Sequence, residues 1–146
     1  MRIHHDDTPP ASAFSMTLIA GAGDIDLLGH VNNVRWVQWI NDLATTHSSS
    51  VGLDFDTYTA LGYLWIIRKH EVEYLRQALE GDVVTGVTWV QDQRGVSSNR
   101  ASRFFDGAGQ LLVRATTTWV LCDVETRRPR RIPPDLMGRY GFKPAE

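Results

Sequence analysis

Along residues 34–49, VRWVQWINDLATTHSS, apolar positions recur at the spacing of one helix face. At about 100° per residue, Trp36, Val37, Trp39, Ile40, Leu43, Ala44 and His47 fall on one side. Arg35, Gln38, Asn41, Asp42, Thr45 and Thr46 fall on the other, with only Val34 out of place. The pattern predicts an amphipathic helix with a broad apolar face. Trp36 and Trp39 each bring a side chain able to bury about 150–250 Å². Such a face needs a sheet to lie on.

Beyond Gly52 and Gly62 the period changes to two, with Val72 and Tyr74 alternating against Glu71 and Glu73 as in a half-buried strand. Three more strands are expected at residues 83–91, 96–105 and 111–121, the last two joined by the hairpin signal DGAG at 106–109. On the last of these, Leu111, Val113, Ala115, Thr117, Trp119 and Leu121 read as the core face. A first strand near 14–20 gives the order strand, helix, four strands, which points to an antiparallel sheet rather than βαβ crossovers. The expected fold is therefore α+β, a five-stranded antiparallel sheet wrapped around one long central helix. A short proline-started helix is expected near Pro134–Arg139. Open sheet edges favour assembly with further copies, as a homodimer or homotetramer.

The 146 residues, 42% hydrophobic and 22% charged, suit a single core. Residues 13–146 are expected to form one domain behind a poorly ordered polar arm, 1–12, that carries Pro9 and Pro10. A formal charge of −2 gives no overall field to draw nucleic acid or an anionic membrane, and neither is expected as a partner. Cys122 stands alone and so forms no intrachain disulfide, and the start does not resemble a signal peptide. No apolar run approaches the ~20 residues that span a bilayer. The expectation is a cytoplasmic protein.

DIDLLGHVNN, Asp24–Asn33, delivers the chain to the start of the long helix. Unpaired backbone N–H groups and a partial positive charge at a helix N-terminus attract an anion or a developing oxyanion. Gly29 permits a bend and close approach to a ligand, and Asn32 or Asn33 can cap the first turn. Spacing alone also fits a simpler account, in which Asp24 and Asp26 are loop carboxylates and His30 is an imidazole satisfied by backbone.

DIDLLGHVNNVRWVQWINDLA resembles the signature of the hot-dog-fold thioesterases, the group that includes 4-hydroxybenzoyl-CoA thioesterase, small bacterial acyl-CoA thioesterases and acyl-carrier-protein thioesterases. That signature is Asp-x-Asp, then Gly-His-Val-Asn-Asn, then an aromatic residue on the helix. HEVEYL, LEGD and TTTWVLCDVETRRPRRIP are also similar to segments of the group, especially its acyl-carrier-protein branch, and the likeness spans residues 14 to 140. It implies a hot-dog fold that hydrolyses an acyl thioester of coenzyme A or acyl carrier protein, with no metal or bound cofactor. The resemblance assigns the catalytic carboxylate to Asp26, as nucleophile or general base, and the oxyanion donor to a backbone N–H near Asn33. One well-aimed donor of that kind contributes ~3–4 kcal/mol to the transition state. His30 matches a histidine that the carrier-protein branch pairs with its aspartate through an asparagine, but Leu28 stands where that asparagine would be. His30 is then either a helper that orients water or a structural residue. Trp36 is expected to shape the acyl pocket or the core beneath it, Asp24 to be a loop or capping carboxylate, and Asp42 to be solvated or at an interface.

ETRRPRR, Glu125–Arg131, fits the phosphates of coenzyme A or an acidic carrier surface, but a solvated charge run is the preferred reading. In SSNRASRFF, Ser97–Phe105, the residues Ser97, Ser98, Asn99, Arg100 and Arg103 either line the route of a pantetheine arm or face solvent, with solvent preferred. Cys122 reads as inert, and His47 as a core histidine. No defensible metal spacing involves His4, His5, His47 or His70, and no G-x-S-x-G elbow is present. Two rivals remain. A hydratase or dehydratase on the same fold has a Gly-Asp-x-Asn-Pro-Leu-His pattern, whereas here Asp24 is followed by Ile25, Asp26 and Leu27. A non-catalytic module binding acyl chains or carrier protein is disfavoured by the ionisable Asp26.

Overall fold

The computed structural model describes residues 7–144. Strand β1 (Phe14–Ile19) is followed by helix α1 (Asn33–Ser50), the short helix α2 (Phe55–Ala60), and strands β2 (Tyr63–Tyr74), β3 (Val83–Val90), β4 (Ser97–Phe105) and β5 (Leu111–Asp123). The strands form one five-stranded sheet in the order β1-β3-β4-β5-β2, antiparallel throughout, as the alternation predicts. The loop before β2 contains one element unforeseen in the sequence, α2, capped by Asp54, whose carboxylate accepts the Thr57 N–H at 2.8 Å. The expected tail helix is a single 3-10 turn, Met137–Tyr140, displaced toward the C-terminus.

Helix α1 buries the face that the wheel assigns to it: Trp36, Trp39, Ile40, Leu43, Ala44 and His47. Val34, the misfit, is exposed. Trp36 meets Trp39 edge-on at 5.0 Å and Phe104 at 5.2 Å, so the helix is fixed to the middle of the sheet by aromatic contact. Gly86 of β3 sets how closely the two layers approach. A methyl group there would stand 3.1 Å from both Leu43 methyls and from Phe104. The missing side chain is the space that Leu43 occupies.

Strand β2 shows why its alternation is hard to read in the sequence. Its register with β5 slips between Ile67 and Lys69, so Trp65 and Ile67 oppose Leu121 and Trp119, while His70, Val72 and Tyr74 oppose Thr117, Ala115 and Val113. A bulge at Arg68 changes the parity of the core-facing positions.

Strand β4 corrects one expectation. Its polar residues do not face solvent: Ser98, Arg100, Ser102 and Arg103 are all buried. The strand lies at the centre of the sheet and both its faces are covered. On the face away from α1, Arg103 lies 5.3 Å above the Trp89 ring and donates from Nε to Asp7 at 2.9 Å, and Asp7 also accepts from Arg114 Nη1 at 3.1 Å. Of the arm expected over 1–12, residues 1–6 lie outside the described residues, His4 and His5 among them; Asp7 is buried in this ion pair.

Gly86→Ala should lower folding stability by about 1–3 kcal/mol, because either Leu43 or the sheet must move. The midpoint of urea unfolding checks this, and an unchanged midpoint would show that the contact is slack.

Candidate active site

The segment from Asp24 to Asn33 is tied to the start of α1 by its own hydrogen bonds. Asn32 is the helix N-cap, its Oδ1 accepting the Val34 N–H at 2.8 Å, while its N–H donates to the Asp24 carbonyl at 2.8 Å. The Asp24 carboxylate accepts the Gly21 N–H at 2.8 Å and pairs with Arg35 Nε at 2.7 Å, a clamp between loop and helix. Between these anchors the chain turns sharply. Asp26 N–H donates to the His30 carbonyl at 2.9 Å and Gly29 N–H to the Asp26 carbonyl at 3.1 Å, with Gly29 at φ +82°, a conformation that glycine adopts without strain.

The turn exposes Asp26 asymmetrically. Its Oδ1 accepts the Leu28 N–H at 2.9 Å and, more weakly, the His30 N–H at 3.4 Å. Among the described residues Oδ2 carries no hydrogen bond. The carboxylate is thus oriented through one oxygen and free at the other. The first amide of the helix, Asn33 N–H, likewise has no acceptor among the described residues, since the Asn32 cap serves Val34. Asp26 and Asn33 both line one cleft of about 740 Å³, together with His30 and Trp36. The His30 imidazole makes no hydrogen bond among the described residues, and Leu28, where an intervening asparagine would stand, points its side chain to solvent. Gly29 lies on the exposed turn and outside the cleft lining. Trp36 contributes while almost wholly buried, 2% exposed, so it acts from the floor.

Sequence reasoning missed the opposite wall. Tyr74, Arg76 and Gln77 come from the end of β2, and Asp106 and Gln110 from the β4–β5 hairpin. Strand register brings them here: Tyr74 opposes Val113, and Leu75 and Arg76 N–H both donate to the Leu112 carbonyl, at 2.8 and 3.0 Å. Tyr74 Oη donates to the Asn33 carbonyl at 3.3 Å and so touches the helix start itself. No local motif announces this.

Arg100 is elsewhere. It does not line the Asp26 cleft but a second cavity, about 460 Å³, at the C-terminal end of α1. There its Nη1 donates to His47 Nδ1 at 2.8 Å and to Thr88 Oγ1 at 3.2 Å, and its guanidinium lies 5.2 Å from the centre of the Tyr140 ring. Accepting from Arg100 at Nδ1 makes His47 a neutral imidazole. Burial first, and the Arg100 charge second, lower its pKa from 6.5 to about 4. Asp42 is engaged on the surface of the helix by Gln38, and Cys122 is buried and free. The arginine run at 127–131 is exposed, with Arg130 paired to Asp123 at 3.3 Å and stacked 4.8 Å from Tyr63.

Residues 12–140 match the acyl-ACP thioesterase N-terminal domain. Oleoyl-acyl carrier protein thioesterase 1 of Arabidopsis thaliana is 27% identical over 108 residues, covering 69% of this chain and 30% of that protein. This chain therefore spans less than a third of the length of that relative. Among solved structures, a 1,4-dihydroxy-2-naphthoyl-CoA thioesterase from Synechocystis superposes with a TM-score of 0.80 at 17% identity, over 88% of this chain and 96% of that one. The 12:0-ACP thioesterase from Umbellularia californica superposes with a TM-score of 0.78 at 21% identity, over 92% of this chain and 54% of that one. The shared architecture is the hot-dog fold.

Two predictions follow from the anchors of α1. Removing the cap in Asn32→Ala should cost about 1 kcal/mol of stability, read from urea unfolding, and no change would mean that Val34 finds another acceptor. The lowered pKa of His47 means that the unfolded chain takes up a proton the folded chain refuses. Its contribution is fully present above pH 6.5 and is lost as pH falls from 6.5 toward about 4. Compared at about pH 7.5 and pH 4.5, the wild type should lose more stability than His47→Gln; equal losses would contradict a buried neutral imidazole.

Proposed function

The chain belongs to the acyl-ACP thioesterase family, and we propose that it hydrolyses an acyl thioester of coenzyme A or acyl carrier protein to the free acid and thiol. The observation that carries this reading is that Asp26, whose Oδ2 is unbonded among the described residues, and Asn33, whose N–H has no acceptor among them, line one cleft. A thioester carbonyl between them would direct its oxygen at the helix amide and its carbon at the carboxylate side.

In this reading Asp26 acts as general base or as nucleophile. As base it takes a proton from water while the water oxygen bonds to the carbonyl carbon; the C–S bond then breaks and the thiolate leaves with a proton. As nucleophile its oxygen bonds to the carbonyl carbon, the C–S bond breaks and the thiolate leaves to take up a proton, and water then opens the resulting mixed anhydride to the free acid and the Asp26 carboxylate. Either way negative charge gathers on the former carbonyl oxygen, where the Asn33 amide and the partial positive charge of the helix end oppose it. The Asn32 cap serves this arrangement by occupying Val34 and leaving Asn33 open. His30, with an unbonded imidazole in the same cleft, assists by orienting water.

A second copy would complete the cleft. Strand β2 is a 12-residue edge with one side unpaired among the described residues. Ile66, Tyr74 and Leu75 on or beside it are exposed, as are Leu28 at the cleft and Val34 on the first turn of α1. Pairing of two β2 edges would cover this apolar border and narrow the cleft from the solvent side.

Asp26→Asn should lower thiol release by about 10²–10⁴-fold, measured across short, long and aromatic acyl-CoA and acyl-carrier-protein substrates, with an unchanged unfolding midpoint. Near-normal rates in that variant would reject the assignment.

A further inference from the structure

The second cavity has a built-in demand that the fold does not meet. Arg100 is 5% exposed, yet its partners are a neutral imidazole, a hydroxyl and an aromatic ring. Among the described residues no carboxylate lies within 4.0 Å of it. The hydrogen bonds of the guanidinium all use Nη1, leaving Nε and Nη2 without acceptors among the described residues. Burial lowers its pKa to about 10, which still leaves it charged at neutral pH. A buried unpaired cation carries a desolvation penalty that a bound anion would offset.

The surroundings say what kind of anion. Leu53, Trp65, Val90 and Met137 give the cavity an apolar wall. Ser48, Tyr58 and Tyr140 already satisfy one another through their hydroxyls, so they make no further charge demand. Trp119 also lines the cavity, and its indole N–H is a buried donor with no acceptor among the described residues. The carboxylates nearest the mouth are Asp54, engaged in capping α2, and Asp56 on its first turn. An interior of this kind excludes a hydrated phosphate and suits a small anionic head on an apolar body. The planar guanidinium fork matches a carboxylate.

We propose that the cavity at the C-terminal end of α1 is a binding site for an apolar monocarboxylate, with Arg100 holding the carboxylate and the Leu53, Trp65 and Val90 wall taking the hydrocarbon or aromatic body. This site is distinct from the Asp26 cleft. The two share no lining residue, and from Asn33 to Ser48 the helix rises about 22 Å. The proposal does not depend on the hydrolytic reading.

Phenylbutyrate and its uncharged amide differ only in the head group, and Trp65 and Trp119 give an intrinsic fluorescence signal beside calorimetry. On the wild-type protein the carboxylate should bind saturably and at least about tenfold tighter than the amide, the scale of a charge-assisted hydrogen bond. Arg100→Met should remove most of that preference while leaving amide binding near its wild-type level. Val90→Phe, which fills only this cavity, should weaken both ligands and covers the case in which Arg100→Met fails to fold. Equal affinity for the two head groups, carboxylate binding that survives Val90→Phe, or no saturable binding by either ligand would each overturn the proposal.

Discussion

The Asn32 cap and the Asp24–Arg35 pair hold a loop to the first turn of a helix, and the chemistry of the cleft depends on that attachment. A cap of this kind contributes about 1 kcal/mol, and the half-exposed ion pair contributes less. Neither would position a ten-residue segment alone. They succeed because the helix is itself immobile: Trp36 and Leu43 press it onto Phe104 and Gly86 at the middle of the sheet. Packing fixes the axis, the cap fixes the entry, and the turn at Gly29 then leaves one oxygen of Asp26 uncommitted.

The same helix has a different role at its other end. Its N-terminus leads into the Asp26 cleft, whereas its last turns carry His47 and Ser48 into a polar cluster with the buried Arg100 and Tyr140. At that end burial dominates the titration of Arg100 and His47. One amphipathic element thus carries two cavities of opposite electrostatic demand.

Much of this architecture is legible in the sequence where local periodicity decides it. The tryptophans and leucine of α1 fall at helical spacing, and DGAG marks the β4–β5 hairpin because a tight turn needs such residues. Burial of polar groups is another matter. SSNRASRFF reads as solvent-facing because the groups that make its burial tolerable come from far away: Asp7 meets Arg103 across 96 positions and His47 meets Arg100 across 53. Helix α2, at six residues, is too short for periodicity to reveal. For the site, Asp26 and Asn33 emerge from likeness to a family signature, since spacing alone leaves them ordinary loop polar residues. Tyr74 and Gln110 enter the cleft only through strand register, which no short window of sequence contains.

A crystal structure with a non-hydrolysable ketone analogue of an acyl-CoA bears most directly on the claim that carboxylate and helix amide act across one scissile bond. The account predicts the ketone oxygen at about 2.7–3.1 Å from the Asn33 nitrogen, with the Asp26 carboxylate facing the carbonyl carbon, directly or through one water. An analogue seated with its carbonyl remote from Asn33, or with Asp26 turned away from it in every subunit, would contradict the account.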